Sequence, residues 1–159
     1  VSTPQPSASP ASEAFRATTK YEASHPSALA VYCSDGRFTE SVEELFRHLG
    51  HSRLDTLTLP GGPGLLDSGT SSLFMSHDIA KSALFLIEGH KLKHVVLIAH
   101  EGCGYYRQRY QYSPGTIRER QLADLRSAAK ALRQPYLHLR IDTFYASIAG
   151  DRIAFEPVR

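Results

Sequence analysis

Apolar residues recur along this chain with two different periods, and each period predicts an element. Residues 28–32, 54–59 and 94–99 (HVVLIA) form short apolar or alternating runs with the length and β-branched content of strands. Between them, Val42, Leu45, Phe46 and Leu49 recur at helical spacing, which predicts a helix over 39–49 that Gly50 ends. Ile79, Ala80, Ala83, Leu84 and Ile87 predict a second helix over 71–89. Ile117, Leu122, Leu125, Ala128 and Leu132 predict a third over 114–133, stopped by Gln134-Pro135. A short helix over 12–24 is expected from the capping residue Ser12 and the apolar Phe15, Tyr21 and Ala23. Residues 136–141, 144–148 and 152–156 read as further strands, the last two joined as a hairpin at Ala149-Gly150-Asp151. Strands alternating with helices predict an α/β fold: a mainly parallel central sheet flanked by helices on both faces, with a C-terminal edge hairpin.

Length and composition narrow this picture. A chain of 159 residues fits one domain, and 42% hydrophobic with 21% charged residues is neither disordered nor fibrous. Residues 1–24 begin with three Pro and four Ser in twelve positions, so they are expected to be a flexible arm, and 25–159 a single domain. No run nears the roughly 18 apolar residues of a membrane span, and no basic segment followed by an apolar one opens the chain. A cytoplasmic protein without a membrane partner is therefore expected. Residues 1–100 hold 8 basic and 10 acidic groups, and residues 101–159 hold 10 and 6. The excess, Arg107, Arg109, Arg118, Arg120, Arg126, Lys130, Arg133 and Arg140, is spread among Glu119 and Asp124 and reads as a solvated helix face. Nucleic-acid binding would need a denser patch.

The candidate chemistry lies where two strands end. The first runs into Cys33-Ser34-Asp35-Gly36-Arg37 and the third into His100-Glu101-Gly102-Cys103-Gly104. Ligands of open α/β sheets gather beyond the carboxyl ends of strands, so neighbouring strands would bring both cysteines and His100 to one edge. Two thiolates and an imidazole suit zinc, and three protein ligands leave a position for water. Asp35 is the expected catalytic carboxylate, accepting a hydrogen bond from that water, with Arg37 holding it in place. Gly61 and Gly62 either let backbone come close to the site or simply form a tight turn, and with Gly104 and Tyr105 they are the expected substrate pocket. Cys103 and Arg109 also have the Cys-x5-Arg spacing of cysteine phosphatases, but Tyr105, Tyr106, Arg107 and Gln108 fill that loop with bulk where its amides would have to face phosphate. A non-catalytic zinc domain is a further alternative.

With these residues in view, the sequence resembles the β-class carbonic anhydrases. Their Cys-x-Asp-x-Arg motif is matched by Cys33, Asp35 and Arg37, and their His-x-x-Cys-Gly motif by His100, Cys103 and Gly104. The resemblance covers roughly 28–109 and departs from the family at Thr58, Leu59 and Pro60, ahead of the glycines, and at the bulky Tyr105 and Tyr106. It implies zinc-hydroxide attack on carbon dioxide to give bicarbonate. Related proteins hydrolyse carbonyl sulfide or carbon disulfide at the same kind of zinc, which is the runner-up substrate class here. The resemblance also implies a homodimer or higher homo-oligomer.

Overall fold

The computed structural model describes residues 14–66 and 72–159. Five strands form one sheet: β1 (Ala28–Cys33), β2 (Asp55–Leu59), β3 (His94–His100), β4 (Arg140–Ala149) and β5 (Arg152–Pro157). Their order is β2-β1-β3-β4-β5, parallel except for the last pair. Every residue of β1 and β3 is buried, as expected of central strands covered on both faces. The helices are α1 (Thr39–His48), α2 (Leu73–Gly89), α3 (Gly104–Tyr110) and α4 (Pro114–Arg133).

The pleat sorts β1 and β3 between two cores. Leu29, Val31, Val95 and Leu97 pack with Ile79, Ala83 and Ile87 of α2 and Leu125, Ala128 and Leu132 of α4. Ala28, Ala30, Val96 and Ile98 pack with Phe38 and with Val42, Leu45 and Phe46 of α1 on the other face. Local chemistry sets the helix starts: the Ser72 hydroxyl accepts from the Met75 amide, and Ser113 caps α4 with Pro114 in its first turn.

Three expectations need correction. Residues 14–24 contain no helix, and Phe15 and Tyr21 are each 90% exposed. A short helix needs an apolar face to bury, and this one finds none. The segment is instead tied down by polar contacts, with Arg53 reaching both Glu22 and Ser24 at 2.9 Å. Ser12 and the tail before it lie outside the described residues. Second, residues 136–139 are turns, not strand, because β4 begins at Arg140, opposite His94 where β3 begins, and earlier residues have no partner strand. From there β4 runs unbroken through Asp142 and Thr143, joining the two strands expected around them. Third, Asp124 does not lie on a solvated helix face but is 2% exposed on the buried side of α4.

Asp142 is accommodated by a polar chain at the amino end of the sheet. Its carboxylate accepts from Arg140 at 2.6 Å and from Nε2 of buried His94 at 3.0 Å. His94 Nδ1 is then left as the acceptor for Nε2 of His51, 2.8 Å away. Burial first, and then the Arg140 charge, hold the His94 pKa below its usual value, against the opposing pull of Asp142. The folded chain therefore favours neutral His94, whereas the unfolded chain protonates it below about pH 6.5. Its contribution to stability is complete above that pH and is lost as pH falls toward the depressed folded value. Urea denaturation from pH 7 to 5 should show stability falling, with a shallower fall in His94→Gln; an equally steep fall in the variant would assign the effect to other groups.

Candidate metal centre

Parallel pairing of β1 with β3, Tyr32 level with Ile98, makes the two strands end side by side at Cys33 and His100. Cys103 follows three residues later as the N-cap of α3. One ligand-type atom from each of the three residues lies within 4.8 Å of the others, and all three side chains are buried. The sulfurs are 3.9 Å apart. The seven-residue α3 was not legible as a helix, having no apolar stripe of its own.

Each group has a defined state. His100 Nδ1 lies 2.8 Å from the Glu101 carbonyl, which only accepts, so Nδ1 carries the proton and Nε2 the lone pair. That Nε2 is buried without a hydrogen-bond partner. The hydrogen bond between the two sulfurs, and after it the His100 side chain, push the Cys33 pKa down, whereas the same hydrogen bond and burial push the Cys103 pKa up. Amides of Gly61 and Asp35 also face the Cys33 sulfur, and those of Tyr105 and Tyr106 face Cys103. A divalent cation would give the Nε2 lone pair a partner and displace thiol protons, as metal binding to thiols does. The fit is also metric, because a tetrahedral ion with metal–sulfur bonds of ~2.3 Å sets its sulfurs about 3.8 Å apart.

Asp35 and Arg37 form the rim. Arg37 donates from Nε to Oδ1 at 2.9 Å and from Nη2 to Oδ2 at 2.6 Å, while its backbone amide adds a third bond to Oδ1 at 3.1 Å. This fork holds the Asp35 pKa down to about 2, so the carboxylate is ionised at any ordinary pH. It is directed to the guanidinium, and it is not a member of the three-residue ligand group. Beyond the dyad, Arg37 faces a cavity of about 680 Å³ between α1 and β5. The Phe38 ring lies 4.3 Å from the His100 ring and covers that side of the imidazole.

The expected pocket residues divide. Gly61 lies directly against the Tyr105 ring, where an added Cβ would sit 2.6 Å from a ring carbon. Gly62, at φ +55°, lies against the β1 backbone, 2.7 Å from the Cys33 nitrogen by the same measure. Tyr105 also walls an apolar cavity of about 510 Å³ with Leu59, Pro60, Leu65, Met75 and Ile79. Gly104 is exposed with nothing crowding it. Arg109 is carried on α3 with its guanidinium over the Tyr110 ring, so the segment after Cys103 is a helix and not a phosphate-cradling loop.

A family model described as "Putative carbonic anhydrase" matches residues 23–158. The chain belongs to this carbonic anhydrase family, and its fold is that of the β-carbonic anhydrases. β-Carbonic anhydrase isoform I of Trichomonas vaginalis superposes with a TM-score of 0.55 over 88% of this chain and 87% of that one, at 16% identity. The carbonic anhydrase of Streptococcus mutans gives 0.54 over 90% and 88%, at 14% identity. β-Carbonic anhydrases of Sordaria macrospora, described as tetrameric, give 0.54 over 83% and 81%, also at 14%. In sequence, an uncharacterized protein of Rickettsia conorii is 24% identical over 129 residues, 78% of this chain and 69% of its own length. At these identities the structural likenesses speak for the fold, so the family's two motifs in this chain carry the chemical argument.

Gly62 gives a direct test of the packing beneath the centre. An Ala there takes an unfavourable positive φ and drives its Cβ into β1 backbone that cannot swing aside. Gly62→Ala should lower stability by roughly 2–4 kcal/mol in urea denaturation; a change under about 0.5 kcal/mol, the range of an inert surface substitution, would show that the turn relaxes freely.

Proposed function

We propose that Cys33, His100 and Cys103 bind one zinc ion and that the chain is a lyase that hydrates carbon dioxide to bicarbonate. The observation that carries this is the buried, unpartnered Nε2 of His100 beside two sulfurs at tetrahedral spacing. Zinc held by three protein ligands supplies a Lewis acid that makes a bound water acidic enough to act as a nucleophile near neutral pH. The protein's own part begins with the thiolates, which lower the charge of the centre. His100 keeps its tautomer through the Glu101 carbonyl and presents only a lone pair. Asp35, ionised and locked by Arg37, has lone pairs left to accept a hydrogen bond from the attacking water and to orient it. Arg37 also keeps that carboxylate from turning onto the metal position, and Phe38 keeps water off one side of His100.

Asp35→Asn should retain zinc, since the three ligands remain, yet lose about 10²–10⁴-fold in turnover by stopped-flow carbon dioxide hydration. Arg37→Ala should also slow turnover by freeing the carboxylate. An Asp35→Asn enzyme as fast as wild type would reduce Asp35 to a turn residue. The aromatic surroundings formed by Phe38, Tyr105 and Tyr106 support a second substrate class, the linear sulfur analogues carbonyl sulfide and carbon disulfide. A zinc-loaded chain that hydrolyses carbonyl sulfide without hydrating carbon dioxide would select that reading.

We also infer a homodimer or higher homo-oligomer. The tetrameric description of the Sordaria relatives supports this, as do Phe74 and Phe85 of α2, which are 83% and 71% exposed on one chain. Light scattering should give a mass that is a multiple of 17.6 kDa; a strict monomer at micromolar concentration would contradict it.

A further inference from the structure

Helix α4 buries two polar side chains in the middle of its apolar stripe. Gln121 is 1% exposed and Asp124 is 2% exposed, between Ile117 on one side and Leu125 and Ala128 on the other. Polar groups so deep need specific partners, and here both partners belong to the segments that carry the metal-centre residues. Gln121 Nε2 donates to the carbonyl oxygen of His100 at 2.9 Å. Asp124 accepts from the Tyr106 hydroxyl at 2.6 Å, three residues beyond Cys103, and forms an ion pair with Arg120 at 2.8 Å. The two contacts differ in reach: Asp124 supports α3 through a side chain, whereas Gln121 grips the backbone of a ligand residue itself.

We propose that Gln121 is a positioning residue for His100, setting the direction of its Nε2 toward the two sulfurs. The strand ends at His100, and the backbone must turn within three residues to return Cys103. The turn is held by one side-chain bond, His100 Nδ1 to the Glu101 carbonyl, and one backbone bond, the Glu101 amide to the Ala146 carbonyl, each at 2.8 Å. The His100 carbonyl, at the pivot between strand and turn, is fixed from outside by Gln121. An amide suits this post better than a hydroxyl or a cation: its N–H reaches the carbonyl without placing a second charge beside the thiolates. A rotation of the His100 peptide would carry the imidazole away from the sulfurs while leaving the sheet intact, so the contact sets ligand direction more than fold. This inference rests on the metal-binding part of the proposed function, not on its substrate.

The test compares Gln121→Met, which keeps length but has no donor, with Leu132→Ala, which creates a cavity in the same helix away from the centre. Zinc affinity by competition with a chromophoric chelator and the visible spectrum of the cobalt-substituted protein are read alongside thermal unfolding. Gln121→Met should bind zinc about 10–100-fold more weakly and shift the cobalt ligand-field bands, as losses of supporting hydrogen bonds at metal sites do. Leu132→Ala should unfold at a lower temperature with affinity and spectrum unchanged. Gln121→Glu, which keeps shape and polarity but presents a carboxylate to the carbonyl, should weaken zinc binding at least as much and serves if the Met variant does not fold. Wild-type affinity and spectrum in a folded Gln121 variant, or an equal loss in Leu132→Ala, would overturn the proposal. A wild-type chain that binds zinc without hydrating carbon dioxide would overturn the catalytic reading alone, and the affinity comparison would still decide Gln121.

Discussion

Parallel pairing of β1 with β3 is the constraint on which the rest of this molecule depends. The two strands start level, Ala28 with His94, and their neighbouring carboxyl ends release Cys33 and His100 side by side. Pairing of this kind needs a long crossover and apolar cover on both faces, and the chain supplies both. Between the strands lie α1, β2 and α2, and the sheet's two cores absorb alternate side chains of the same two strands. A slip of one residue would send every core side chain to the wrong face, so the burial pattern that stabilises the sheet also fixes the relative height of the chemical groups at its end.

Order at that end is achieved by backbone more than by side chains. Amides of Gly61, Asp35, Tyr105 and Tyr106 face the sulfurs, the Glu101 carbonyl fixes the imidazole, and Arg37 alone immobilises the carboxylate. Amides lower the cost of negative charge on sulfur without adding a mobile cation, so the centre remains free to accept a metal ion. Gly62 belongs to the same logic, since its missing side chain lets the turn after β2 lie on the backbone of Cys33.

What the sequence made legible follows from how local each signal is. The runs ALAVY and HVVLIA are apolar at every position but one, and both became central strands within a residue of their expected ends. Helix α4 matched its expected bounds because Pro114 and Pro135 punctuate a clear stripe. The converging cysteines and histidine were legible because strand ends are where such sheets gather chemistry. Less visible were properties set by tertiary partners. The start of β4 is decided by where β3 begins, not by Tyr136 or Leu137, and α3 is too short to show a period. Gln121 and Asp124 look like solvent-facing residues in sequence, although their spacing from Ile117 and Leu125 places them on the buried stripe; only the depth of the groups they hold explains them.

Metal analysis of the purified chain tests the central claim most directly, because the proposed function rests on Cys33, His100 and Cys103 holding a metal ion. One zinc per chain is expected in the wild type, and none in Cys33→Ser or Cys103→Ser, with proton release when zinc is returned to the stripped protein. A folded wild-type chain that contains no zinc and takes up none on addition would contradict it.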